Sequence, residues 1–212
     1  YKGDIPILKI FKHNNLVYQH SSTGGTETPY DITSTFNVTS TTSPTQLCHS
    51  SAISYFTEMY VDDMIVSPTS SYTFSSSGEH TVGYMLKDKT KLDGSMTFGH
   101  FKGCSRMKEI KFKDELTIIS GSTFSGCTSL TTAPELPATT LEKRCYESMF
   151  KGCTKLNYIK AMFITTPSAS YASNWVNGVA ATGTFVKNSA ATWNVTGVNG
   201  IPSGWTITTA SA

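Results

Sequence analysis

The side chains of this sequence best equipped for chemistry are five cysteines, five histidines and one small group of carboxylates. Three of the thiols, Cys104, Cys127 and Cys153, would suffice for zinc if a fourth ligand joined them. Zinc ligands usually come in close pairs such as Cys-x-x-Cys, whereas these lie 23 and 26 residues apart, each preceded by Phe-x-Gly. An odd number of cysteines also leaves one thiol without a disulfide partner. The spacing therefore marks one position of a repeat, and buried, inert thiols are expected there. Cys145 sits beside Lys143 and Arg144, cations that can lower a thiol pKa, but Tyr146, Met149 and Phe150 assign it to a core. His13, His20, His49, His80 and His100 form no His-x-x-x-His or His-Glu-x-x-His pattern. Glu58, Asp62 and Asp63 offer oxygens that calcium favours, without an Asp-x-Asp-x-Asp-Gly loop around them, so turn chemistry is the expectation. A Gly-x-Ser-x-Gly elbow, a phosphate-cradling Gly loop and a dinucleotide fingerprint are all absent. No catalytic residue, metal site or cofactor is expected.

The elements that must carry these residues belong to a nearly neutral chain. Of 212 residues only 15% are charged, the net charge is +2, and Ser and Thr exceed a quarter of the total. The 17 basic residues are scattered, with no cluster longer than Lys87, Lys89 and Lys91, which argues against a nucleic-acid partner. No apolar run approaches the roughly 20 residues of a membrane span. Tyr1 opens the chain without Met or a signal-type segment, as after processing or trimming. The length allows two domains of about 100 residues each. Asn37-Val-Thr and Asn194-Val-Thr match glycosylation sequons, which a Thr-rich sequence produces by chance.

Residues 1–90 read as strands and turns. Ile5 to Phe11, Ile32 to Val38 and Ile53 to Val61 are candidate strands, and Asp62-Asp63 before Met64-Ile65-Val66 reads as a hairpin turn. His80, Val82, Tyr84 and Leu86 alternate with Thr81, Gly83, Met85 and Lys87, the period of a strand with one buried face. The expected architecture of this part is an immunoglobulin-like β-sandwich.

From residue 91 to 212 the sequence repeats. Phe101-Lys-Gly-Cys104-Ser-Arg-Met107, Phe124-Ser-Gly-Cys127-Thr-Ser-Leu130 and Phe150-Lys-Gly-Cys153-Thr-Lys-Leu156 are three copies of one phrase. A period of this length, with Met107-x-x-Ile110-x-Phe112 and Leu156-x-x-Ile159-x-Ala161 following, marks leucine-rich-repeat coils. One coil cannot bury its own apolar face, and stacked coils bury each other's. Phe, Cys and Leu then form inward columns, and Gly103, Gly126 and Gly152 take a sharp turn. In the middle copy Pro134 is expected to disturb the strand edge. Residues 164–212, with Trp175, Phe185, Trp193 and Trp205, are expected to cap the stack. The fold class is thus mainly β, a sandwich followed by a short solenoid with a C-terminal cap.

The phrase Phe-x-Gly-Cys-Thr-x-Leu resembles the BspA-like leucine-rich-repeat proteins of gut-dwelling and oral anaerobic bacteria. Ala133-Pro-Glu-Leu-Pro-Ala-Thr-Thr-Leu141, Met149-Phe-Lys-Gly-Cys153 and Gly200-Ile-Pro-Ser-Gly-Trp205 look like phrases of the same group, and Ser77-Gly-Glu-His-Thr-Val82 looks like the small sandwich that precedes such repeats. The resemblance implies export to the outer surface, tethering through an anchor absent from this chain, and adhesion to a host protein or glycan. A structural spacer without its own ligand is the alternative. Strand alternation turns Glu109, Lys111 and Lys113 outward on the first coil, Thr132 and Pro134 on the second, and Tyr158, Lys160 and Met162 on the third. These are the expected ligand contacts, with Tyr158 as anchor. The lysines favour an acidic partner such as a sialylated or sulfated glycan, or simply keep the sheet face soluble.

Overall fold

A computed structural model describes the backbone of residues 7–12 and 15–20, and residues 29–88, 99–113 and 121–210 in full. It is mainly β. Strands β1 (Ile7–Lys12) and β2 (Asn15–His20) form an antiparallel pair. They are followed by β3 (Ile32–Val38), β4 (Thr45–Gln46), a 3-10 turn over Ser50–Tyr55, β5 (Phe56–Val61), β6 (Met64–Val66), β7 (Ser71–Tyr72) and β8 (Gly78–Leu86). The strand expected from Ile53 thus begins three residues later. His49 caps the turn by accepting the Ser51 N–H, and this local bond overrides the strand preference of Ile53.

The hairpin at Asp62-Asp63 forms with both residues at positive φ, 49° and 62°, the geometry a two-residue connection needs to match strand twist. Three carboxylates that are close in sequence point to separate partners. Asp63 accepts the Tyr30 hydroxyl (2.8 Å), Glu58 accepts the Tyr60 hydroxyl (2.6 Å), and Asp62 meets His80 Nδ1 (2.7 Å) while accepting the Thr81 N–H (3.0 Å). His80, Val82, Tyr84 and Leu86 are all buried, as their alternation requires.

Beyond residue 98 come β9 (Met107–Phe112), β10 (Tyr158–Ala161), helix α1 (Ala169–Ala172), β11 (Thr184–Lys187) and β12 (Thr206–Thr209). One antiparallel sheet has the order β6-β5-β8-β3-β9, so the first repeat strand is the edge strand of the N-terminal sheet. Among the described residues its inner face is covered not by a second large sheet but by Leu47, Cys48, Ala52 and Phe74, which the short β4–β7 pair and the 3-10 turn bring against it. The boundary drawn at residues 90 and 91 lies outside the described residues. On either side of it a single apolar core runs from Ile32 to Trp205.

The repeats stack. Gly103 N–H donates to Ser125 O (2.8 Å), Gly126 to Lys151 O (2.8 Å) and Gly152 to Asn177 O (2.8 Å), so each coil hangs on the next through its backbone. These glycines and Gly178 share φ near +80°, which only glycine adopts cheaply. The Phe rings form a spine: Phe124 lies 5.5 Å from Phe150 and 6.0 Å from Phe101, each pair within 8° of parallel. The thiols form a second column. Cys127 Sγ donates to Phe101 O (3.1 Å) and Cys153 Sγ to Phe124 O (3.0 Å). On the outside, Thr128 Oγ1 reaches Ser105 O (3.3 Å) and Thr154 Oγ1 reaches Thr128 O (3.4 Å), which explains the Thr after each later Cys.

Residues 164–210 add strands to this stack, and Trp175, Phe185, Trp193 and Trp205 are buried there. β10, β11 and β12 form one parallel sheet, with Ile159, Phe185 and Ile207 in register. Gly178 continues the glycine column, 3.6 Å from Gly152 in the place its Cβ would occupy. The fourth coil escaped the sequence pattern because Val179 stands where Cys is expected and Val176 where Phe is.

All five cysteines are reduced and buried. Burial pushes the Cys48 and Cys153 thiols up to about 12 and raises Cys104 and Cys127 well above the ordinary value. Two outcomes follow. Phe124→Ala should cost about 3 to 5 kcal/mol and lower Tm by on the order of 10 °C in a thermal melt. A midpoint within a degree or two of the parent would place Phe124 outside the spine. Because the folded thiol pKa values lie above the unfolded ones, the stability they confer is complete below roughly pH 8.5 and declines as pH rises toward the folded values. Thiol labelling at pH 8 should be slow until denaturant is added, and unfolding midpoints should fall from pH 8.5 to 11. Rapid labelling of the native chain would contradict the column.

Candidate functional site

None of the described His, Cys, Asp and Glu side chains forms a group of three or more able to hold a metal ion. The sequence candidates for thiol chemistry are absorbed by the core. Cys145 is buried with Tyr146, and its thiol is raised chiefly by burial, opposite to the shift that reactivity needs. His80 places Nδ1 on Asp62 and Nε2 on Ser76 O (3.0 Å), a boundary role beneath the hairpin.

The outward strand face has a different character, and its shape follows from one proline. Lys108 O accepts the Thr131 N–H (3.2 Å), joining β9 to the second coil. The backbone of the second coil then turns toward the third: Asn157 N–H donates to Thr131 O (3.0 Å), Ala133 N–H to Tyr158 O (2.9 Å) and Leu136 N–H to Lys160 O (3.1 Å). Thr132 pairs with Tyr158 and Leu136 with Ala161, so three residues of the second coil oppose two of the third. That extra residue is a β-bulge, and Pro134, which has no N–H, sits inside it. The disturbance expected at Pro134 is thus real, and it detaches the second coil from β9.

A groove of about 430 Å³ opens in the gap. Glu109, Lys111, Phe112 and Lys113 line one side, Thr132, Pro134, Glu135 and Pro137 the other, with Tyr158 and Lys160 at the end contributed by the third coil. Six of the residues expected to face a ligand, Glu109, Lys111, Lys113, Thr132, Tyr158 and Lys160, therefore converge on one concavity, together with Pro134. Met162 does not line it. It lies beyond β10, half-buried, with its N–H on Leu136 O (2.9 Å) and its O accepting from Asn188 Nδ2 (3.1 Å).

The charges of the groove are arranged in pairs. Lys160 Nζ is 2.7 Å from Glu135 Oε1, and Lys111 Nζ is 3.1 Å from Glu109 Oε1. The hydrogen bond to Glu135, with its charge, holds the Lys160 ammonium above the usual lysine range. A uniformly basic strip, as the outward lysines alone would suggest, becomes a mixed surface in which Phe112, Pro134, Pro137 and Tyr158 provide the apolar area. Glu135 and Pro137 were not foreseen, because the bulge that turns them toward the groove depends on the register between coils.

Residues 94–174 match the family model described as BspA type leucine rich repeat region, in six copies. This stretch contains all three Phe-x-Gly-Cys phrases and most of the groove. No curated protein and no solved structure matches the chain.

Glu135 is exposed and Lys160 half-buried, at 70% and 31% of the side chain. A double-mutant cycle on this pair should give a coupling below about 1 kcal/mol in stability. A larger coupling in urea unfolding would assign the pair to the fold rather than to the surface.

Proposed function

We propose that this chain is a non-enzymatic binding protein, displayed on or released from a cell surface, that holds a host protein or glycan in the groove between its first and third coils. The observation that carries the reading is the groove itself, in which one half-buried Tyr, one half-buried Phe and two prolines lie among two charge pairs. An aromatic with a polar tip beside rigid apolar walls suits recognition better than bulk solubility. Placement at the outer surface and the absence of catalysis belong to the same proposal, supported by the BspA-type repeat over residues 94–174. The paired lysines favour a ligand that carries both hydroxyls and charge, an acidic glycan among them.

The spacer alternative fits only the last coils. In register with Tyr158 stand Thr184 and Thr206, and in register with Lys160 stand Val186 and Thr208, a small and uncharged surface. The aromatic and charged positions are confined to the first three coils.

Screening the chain against a glycan array and against mucus and matrix proteins identifies the ligand class. On the ligand found, Tyr158→Ala and Lys160→Ala should each weaken binding by more than about 1 kcal/mol, with the fold intact by circular dichroism. Unchanged affinity in both variants would move the site out of the groove.

A further inference from the structure

Asparagine followed by glycine is the dipeptide in which a main-chain nitrogen most readily attacks a side-chain amide, because glycine has no Cβ to shield its own nitrogen. The chain has two such pairs, Asn177-Gly178 and Asn199-Gly200. The first arises because the coil stack requires glycine at its turn. Gly103, Gly126, Gly152 and Gly178 share φ near +80°, and the residues before them are Lys102, Ser125, Lys151 and Asn177. Only the fourth coil places a side-chain amide next to the required glycine.

The two pairs have opposite surroundings. Asn177 and Gly178 are both exposed. This exposure belongs to the position within a coil, since Lys151 is exposed at the same place with the fourth coil stacked beyond it. Among the described residues the Asn177 carboxamide makes no hydrogen bond and the Gly178 N–H meets no acceptor. The peptide that joins them is held by one bond, from Gly152 N–H to Asn177 O (2.8 Å). Around Asn199 the polar groups are pinned. Its Oδ1 accepts the Asn174 N–H (2.8 Å), Gly200 N–H donates to Gly197 O (3.0 Å), and Gly200 O accepts from Trp175 Nε1 (2.8 Å). Asn199 is half-buried and Gly200 buried, with Val195 O packed where a Cβ of Gly200 would stand.

We propose that Asn177 is a site of spontaneous covalent modification, converted through a cyclic imide to aspartate and isoaspartate, and that the fold protects Asn199 from the same reaction. The Gly178 nitrogen attacks Asn177 Cγ. The N–Cγ bond forms as Cγ–Nδ2 breaks, and Nδ2 leaves as ammonia with the proton from Gly178. Water then opens the ring. Addition at Cγ gives aspartate, and addition at the former main-chain carbonyl gives isoaspartate, whose backbone runs through the side chain and is one carbon longer. Water is the only co-reactant. Ring closure at Asn177 gives up one hydrogen bond. At Asn199 it gives up those of the carboxamide and of the attacking nitrogen inside a packed turn, a difference of about tenfold or more in rate. Either product gives residues 148–212 their first carboxylate. The isoaspartyl form also alters the acceptor by which Gly152, and with it the third coil, hangs on the fourth.

Incubation of the whole chain at mildly alkaline pH and body temperature, followed by peptide mapping in a mass spectrometer, tests the proposal. Trypsin separates the two pairs by cutting after Lys187. In urea both pairs should react at similar rates, which sets the reference without a fold. In the native chain Asn177 should gain the mass of an amide-to-acid exchange and accept label from an isoaspartyl methyltransferase, about tenfold or more faster than Asn199. Asn177→Gln should remove that label. Native Asn177 that keeps its amide while the unfolded chain loses it overturns the proposal, as does native Asn199 reacting as fast as Asn177. So does label that persists in Asn177→Gln.

Discussion

Everything in this structure depends on the inability of a single coil to bury its own inward side chains. A coil of some two dozen residues presents Phe, Cys and Leu on one side, and those side chains leave water only when another coil lies above or below. Phe124 between Phe101 and Phe150 is the central instance, with two near-parallel ring contacts from one residue. The backbone bonds from each Phe-x-Gly turn to the next coil add direction to this packing, and the thiols add a donor that reaches the previous Phe carbonyl. Cysteine suits this slot because it is small and apolar yet can donate one weak hydrogen bond.

A stack built this way needs a cover for its first coil. The N-terminal sheet accepts β9 as its own edge strand and lays Tyr84 over the first ring of the spine. The first coil is therefore held on one side by antiparallel pairing and on the other by stacking.

The groove arises from the same constraint. Side-chain stacking keeps the second coil between the first and third even where its backbone no longer follows β9. Pro134 and the bulge around it can then part the strand face without opening the core, since Ala133, Leu136 and Leu130 stay buried. A concavity on a rigid stack holds its lining residues at fixed separations, which is what recognition requires. The charge pairs Lys160–Glu135 and Lys111–Glu109 keep the walls soluble without filling the space.

The repeat, its inward columns and the outward positions of the strand face were legible in the sequence, because Phe, Gly, Cys and Leu recur at a spacing that only stacked coils explain. Alternation alone turned Glu109, Lys111, Thr132, Tyr158 and Lys160 outward, and Pro134 marked a break in pairing. Periodicity could not reveal the fourth coil, where Val176 and Val179 replace Phe and Cys and only the backbone register and the φ of Gly178 continue the pattern. Nor could it show that β9 joins β3, since antiparallel pairing over some 75 residues of separation leaves no local signature. The groove itself, the inclusion of Glu135 and Pro137 and the exclusion of Met162 were decided by tertiary structure. They depend on one extra residue opposite β10, and a bulge is a property of two strands in register, not of either strand alone.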